Sequence, residues 1–199
     1  MDKTIIIGIS GGTGAGKSTV SFSLRSKYPK KISVIHFDDY QRKKEMIPLL
    51  YEIKNYDHPD AIDFKKLIAD IKKLKSGKTV TVFTKNETDN KKYKKNKKLI
   101  PLKIKSLPVI IVEGYLLLWN PNIRNLLDEK IFLDLDYKTR IKRRTKLTSD
   151  KYNKKILFPM QKKFVESTKK YADLVIDVAK LSKKQLISNL ETRIKEYFK

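Results

Sequence analysis

The stretch GISGGTGAGKST, residues 8–19, constrains this chain more than any other feature. Gly11, Gly16, Lys17 and Ser18 fulfil G-x-x-x-x-G-K-[ST], between an apolar run (TIIIGI, 4–9) and a helix-like pattern over residues 18–28. Backbone N–H groups can converge on phosphates only where no side chain intervenes, so the glycines are chemically required. The segment from Gly11 through Gly12, Thr13, Gly14, Ala15, Gly16, Lys17 and Ser18 to Thr19 is therefore expected to grip a nucleoside triphosphate. Lys17 places a point charge at the β and γ phosphates, and Ser18 offers an oxygen to Mg²⁺.

Four more apolar runs, SVIHF (33–37), VIIV (109–112), IFLDL (131–135) and LVIDV (174–178), read as buried strands, because they lack alternation with polar residues. Helical patterns over 61–75, 137–146, 158–171 and 182–197 separate or follow them. The alternation predicts an α/β protein: a P-loop NTPase of three layers, α/β/α, around a five-stranded parallel sheet. TVTVF (79–83) and LIPLKI (99–104) flank a lysine run and predict a β-hairpin insertion over about 79–104. A short lid is expected over about 140–158. With 199 residues and 40% hydrophobic residues, the chain suits one P-loop domain over 1–199.

Composition removes several chemistries. There is no cysteine, which excludes disulfides and thiolate metal sites, and the two histidines, His36 and His58, cannot build a multi-histidine zinc site. A metal would be a hard cation on oxygens, as Mg²⁺ is. No leader-like or membrane-spanning apolar stretch is apparent, so a cytoplasmic protein without membrane contact is expected. The net charge of +24 invites a nucleic-acid reading, but lysine is spread through nearly every segment, so a solvated basic surface is the simpler account.

The acceptor of the phosphate is narrowed by the acids. No Asn-Lys pair is followed by the aspartate of a guanine-reading Asn-Lys-x-Asp, which disfavours a GTP switch. Asp38 and Asp39 close the second strand after one intervening helix, at the carboxyl edge where open α/β sheets bind ligands. Asp38 is the candidate base for an acceptor hydroxyl, and Asp39 caps the next turn or faces solvent. Glu113, closing PVIIVEG, is the second candidate Mg²⁺ residue. Arg140, Arg143 and Arg144 recur at i, i+3 and i+4, a spacing that presents three guanidiniums on one lid helix to developing phosphoryl charge.

GISGGTGAGKST, FDDY, NYDHPDAIDFKKLIADIKKLKSGKTV, VIIVEGYLLL, IFLDLDYKTRIKRR and FVESTKKYADLVI, in this order and at similar spacing, resemble the uridine kinase family. The resemblance implies ATP- and Mg²⁺-dependent phosphorylation of the 5′-hydroxyl of a ribonucleoside, with uridine or cytidine as the small-molecule partner. It implies Asp38 as catalytic aspartate, Glu113 as the magnesium-associated acid, Asp57 on the sugar hydroxyls and Arg144 near the reacting phosphate. Tyr40, ending FDDY, and Phe83, at the place of a stacking tyrosine, are expected at the acceptor. The chain departs from the family in its lid, where TKLTSDKYNKKILF is shorter and lacks further arginines, and in the base-reading segment VFTKNETDNKK. Nicotinamide riboside kinases, similar in the loop and in the paired aspartates, give an alternative acceptor; a nucleic-acid-stimulated ATPase is the alternative of another class. A homo-oligomer is compatible with all of these.

Overall fold

The computed structural model describes residues 4–144 and 149–198, the side chains of Ile141 and Arg144 excepted. Its strands are β1 (Ile5–Gly11), β2 (Ile32–His36), a two-residue pair β3 (Leu49–Leu50) and β4 (Ile53–Lys54), β5 (Val80–Thr84), β6 (Ile100–Ile104), β7 (Val109–Glu113), β8 (Glu129–Asp134) and β9 (Leu174–Asp177). The helices are α1 (Lys17–Lys27), α2 (Phe64–Lys75), α3 (Tyr93–Asn96), α4 (Pro121–Arg124), α5 (Tyr137–Arg144), α6 (Asp150–Tyr152), α7 (Phe158–Phe164) and α8 (Lys183–Lys195).

The five apolar runs form one sheet in the order β2-β7-β1-β8-β9, and every pairing in it is parallel. The side-chain period of two divides the runs of β1, β2, β7 and β8 between two cores, whereas the run of β9, expected to be buried, lies at the sheet edge with Leu174 and Val175 exposed. Ile6, Ile110 and Val112 face one side with Phe37 and, on α2, Leu67, Ile71 and Leu74. Ile7, Ile9 and Ile111 face the other with Val20 and Leu24 of α1 and Leu186, Leu190 and Ile194 of α8. Each fully buried aliphatic contributes about 1.5–3 kcal/mol, so strands that feed both faces need helices on both. β5 and β6 pair antiparallel as the expected hairpin.

Helix ends follow local chemistry. The pattern beginning at residue 61 becomes helical only at Phe64, because Pro59–Ala61 forms a 3₁₀ turn and Asp63 caps α2, accepting from the Lys66 N–H at 3.0 Å. Ser182 and Gln185 form a capping box on α8. The stretch 158–171 is α-helical only to Phe164 and continues as a 3₁₀ helix over Glu166–Tyr171. A π turn over Asn153–Leu157 joins α6 to α7.

Gly114, just beyond β7, sets how closely the chain after β2 can approach. A Cβ there would lie 2.2 Å from the Phe37 Cβ and 2.5 Å from its Cγ, and Phe37 is fully buried. The Phe37 Cβ cannot swing aside, because it is bonded directly to the backbone. Gly114→Ala is therefore expected to destabilise by about 1–3 kcal/mol, lowering the melting temperature by about 2–4 °C for each kcal/mol. Scanning calorimetry checks this, and an unchanged melting temperature would contradict it.

Candidate active site

β1 is the point at which strand order reverses: the chain leaves it toward β2, returns to β7 at its side, and then crosses to β8. Ligand crevices of open α/β sheets form at such points, beyond the carboxyl ends of the strands. A cavity of about 760 Å³ opens there, lined by Gly14, Lys17 and Ser18 of the glycine loop, by Asp38, Asp57 and Glu113, and by Tyr115.

The loop runs directly from β1 into α1. Gly16 caps the helix with φ +98, a left-handed conformation that a side chain would strain, and the helix N-terminus behind it favours an anion. Lys17 is buried, and its Nζ donates to the Gly12 carbonyl at 3.0 Å. Ser18 Oγ donates to Glu113 Oε1 at 3.1 Å. This brings the two expected Mg²⁺ residues from α1 and β7 to one point, with oxygen donors of the hardness that cation requires. Among the described residues, no group of three or more His, Asp or Glu converges as a metal cage. A site of one or two protein oxygens completed by substrate phosphates is the arrangement Mg²⁺ commonly takes.

Glu113 is buried and also meets His36 Nδ1, at 2.8 Å. His36 ends β2 in register with Glu113 on the neighbouring strand. Phe22 of α1 stacks on the imidazole with centroids 4.5 Å apart. Asp89 lies 3.8 Å from His36 Nε2 and is itself held by Arg25 through two hydrogen bonds of 3.0 and 2.9 Å. The hairpin loop is thereby tied to α1.

Asp38 lies in the 3₁₀ turn Phe37–Tyr40 and is exposed to the cavity, with no side-chain partner among the described residues. Asp39 does not line it. Its Oδ1 accepts from the Lys85 N–H at 3.0 Å, and burial pushes its carboxyl above the usual aspartate range. Asp57 is buried at the cavity wall, where its Oδ2 accepts from the Tyr152 hydroxyl at 2.7 Å. Tyr115 steadies that segment, donating to the Tyr56 carbonyl at 2.7 Å.

Several expected site residues lie elsewhere. Tyr40 is buried, donates to Asp70 Oδ2 at 3.1 Å and has its hydroxyl pKa raised by that burial, so it joins the turn to α2 rather than meeting a substrate. Phe83 is 58% exposed: alternation along β5 turns Val80, Val82 and Thr84 inward and Phe83 to solvent. Arg140 is not a lid cation. Its buried guanidinium donates to Gln161 and Glu166 and lies against Gly12. Gln161 Oε1 in turn accepts from the Thr13 N–H at 3.3 Å, so Arg140 braces the loop from behind. Arg143 donates to the Gly14 carbonyl at 3.1 Å. Arg144 ends α5, and its side chain lies outside the described residues, as do residues 145–148 of the lid expected over about 140–158. Gln41, Lys85, Tyr152 and Gln161 line the cavity without a sequence signal that marks them.

The family described as "Phosphoribulokinase / Uridine kinase family" matches residues 6–185. A uridine kinase of Streptococcus pneumoniae (strain Hungary19A-6) is 37% identical over 187 residues, covering 88% of this chain and 86% of that protein. A solved structure described as a possible uridine kinase from Bacillus stearothermophilus superimposes with a TM-score of 0.63 at 16% identity, covering 89% of this chain and 90% of that one. Shikimate kinase from Acinetobacter baumannii gives 0.53 at 14% identity, covering 98% and 96%. At those identities the two structures bear on the fold alone, and both share it. No described helix is long and apolar enough to cross a membrane.

Proposed function

The chain belongs to the phosphoribulokinase/uridine kinase family, a family of phosphotransferases that act on alcohol groups, and from that premise we propose that it transfers the terminal phosphoryl group of ATP, with Mg²⁺, to the 5′-hydroxyl of a pyrimidine ribonucleoside. The observation that carries this reading is the sharing of one cavity by the glycine loop, an Asp38 without a side-chain partner among the described residues, and the sugar-facing candidate Asp57. A water-activating ATPase would have no use for the last of these.

Lys17 and the loop amides hold the triphosphate. Ser18 and Glu113 hold Mg²⁺, which when bound neutralises charge on the phosphates. Asp57 accepts from two vicinal sugar hydroxyls, which replace the Tyr152 hydroxyl there. Asp38 takes the proton of the 5′-hydroxyl as its oxygen bonds to the γ-phosphorus and the bond to the β,γ-bridging oxygen breaks, leaving ADP. Arg144 contributes positive charge from the lid. The donor's base occupies a hollow of about 200 Å³ on the other side of the loop, lined by Thr19, Arg143, Val178, Leu181 and Leu186.

Incubation with ATP, Mg²⁺ and a panel of ribonucleosides, nicotinamide riboside included, tests the reading by mass spectrometry. A pyrimidine nucleoside monophosphate is expected. ADP release without any phosphorylated acceptor, stimulated by RNA or DNA, would replace it with the ATPase reading.

His36 orients Glu113 in this scheme. His36→Ala should raise the Mg²⁺ concentration for half-maximal activity, and weaken Mn²⁺ binding followed by electron paramagnetic resonance, by about 10–100-fold. His36→Asn, whose amide can reproduce the Nδ1 contact, should recover part of the loss. Unchanged metal binding in His36→Ala would remove His36 from the scheme.

A further inference from the structure

Beyond Asp38 the cavity wall carries two side chains, Lys85 and Gln41, that together offer more donors than acceptors. Lys85 enters from the loop after β5, anchored by its N–H on Asp39, and its ammonium donates to Gln41 Oε1 at 2.6 Å. Both residues line the cavity. An ammonium has no lone pair, so the Gln41 atom facing it must be the amide oxygen, which fixes the amide's orientation and leaves its NH₂ free to donate. With one of that oxygen's two lone pairs engaged, the pair presents to a ligand mainly the remaining ammonium and amide protons.

Position decides what those protons meet. β1, β7 and β2 stand side by side, so the glycine loop, Glu113 and Asp38 follow one another across the carboxyl edge of the sheet. Gln41 and Lys85 are held by the turn after β2, the strand at the edge of the sheet and the farthest of the three from the loop. They share one cavity with Asp38, so an acceptor whose 5′-hydroxyl meets Asp38 has room to extend its far end, the base, toward them. Asp39, the nearby carboxylate that could have accepted from an amine, is turned onto the Lys85 backbone and does not line the cavity.

Resting on the nucleoside-kinase reading above, we propose that Lys85 and Gln41 read the exocyclic group of the base, admitting a carbonyl oxygen and opposing an amino group, so that uridine is taken in preference to cytidine. A donor set against a donor in a desolvated site leaves both unsatisfied, and sites built on such hydrogen bonds discriminate more strongly than apolar pockets do.

The test is kcat/KM for uridine and cytidine with ATP and Mg²⁺ in the unaltered protein and in Lys85→Met and Gln41→Glu. The ratio of two substrates on one preparation does not depend on how much of that preparation is folded. The unaltered protein should favour uridine by about tenfold or more. Lys85→Met should bring the ratio close to one by losing activity on uridine. Gln41→Glu, whose carboxylate offers a lone pair to an amine, should move the ratio toward cytidine. Equal use of the two nucleosides by the unaltered protein, or variants that scale both alike, would overturn this assignment while leaving nucleoside phosphorylation intact. If no ribonucleoside is phosphorylated, the reading it rests on falls with it.

Discussion

Asp38→Asn should phosphorylate a nucleoside about 10²–10⁴-fold more slowly than the unaltered protein, with ATP affinity and melting temperature nearly unchanged. The asparagine keeps the shape and loses the lone pair that takes the acceptor's proton. The structure makes this separation clean, because Asp38 is exposed to the cavity and its side chain has no partner among the described residues. No fold contact is lost with the charge. Steady-state kinetics beside titration with a fluorescent ATP analogue gives both quantities. Turnover within about threefold of normal would show that Asp38 does not serve as the base.

Lys17→Ala should cost about 10²–10³-fold in kcat/KM, distributed differently. In the proposed scheme Lys17 meets the phosphates in the ground state and in the transition state, so KM for ATP should rise as kcat falls, and analogue binding should weaken. It also bonds the Gly12 carbonyl, so a small loss of stability is expected with it. The contrast between the variants is informative: one loses chemistry with binding intact, the other loses both. A Lys17→Ala protein with unaltered ATP affinity would contradict the assignment of the loop as the triphosphate grip.

Much of this site was legible because its chemistry is local. Gly16, Lys17 and Ser18 are consecutive, and a strand before them and a helix after them dictate where they stand. Glu113 ends β7 and Asp38 lies in the turn just after β2, strands whose apolar runs are unmistakable, so the parallel sheet brings both to one edge. The expected five-stranded parallel sheet and hairpin rest on the same kind of signal, periodicity within a few residues.

What could not be read depends on partners distant in the chain. Arg140 shares helical spacing with Arg143 and Arg144, yet it is buried because Gln161 and Glu166 arrive behind it from α7 and the turn that follows. Tyr40 looked like a neighbour of the acceptor; a hydrogen bond to Asp70, thirty residues away, draws it into the core. Lys85 and Gln41 lie 44 positions apart, and nothing in VFTKNETDNKK announces that its lysine meets a glutamine beside the FDDY turn. Of that segment, which departs from the uridine kinase pattern, Lys85 lines the cavity.

The most direct test of the account is a crystal structure with uridine, Mg²⁺ and a non-hydrolysable ATP analogue. The account places the triphosphate in the loop at Gly11–Ser18, with the uridine 5′-oxygen about 2.6–3.2 Å from the Asp38 carboxylate and about 3–3.5 Å from the γ-phosphorus, in line with the bond that breaks. A uridine whose 5′-hydroxyl turns away from Asp38, or a triphosphate held outside the loop, would contradict it.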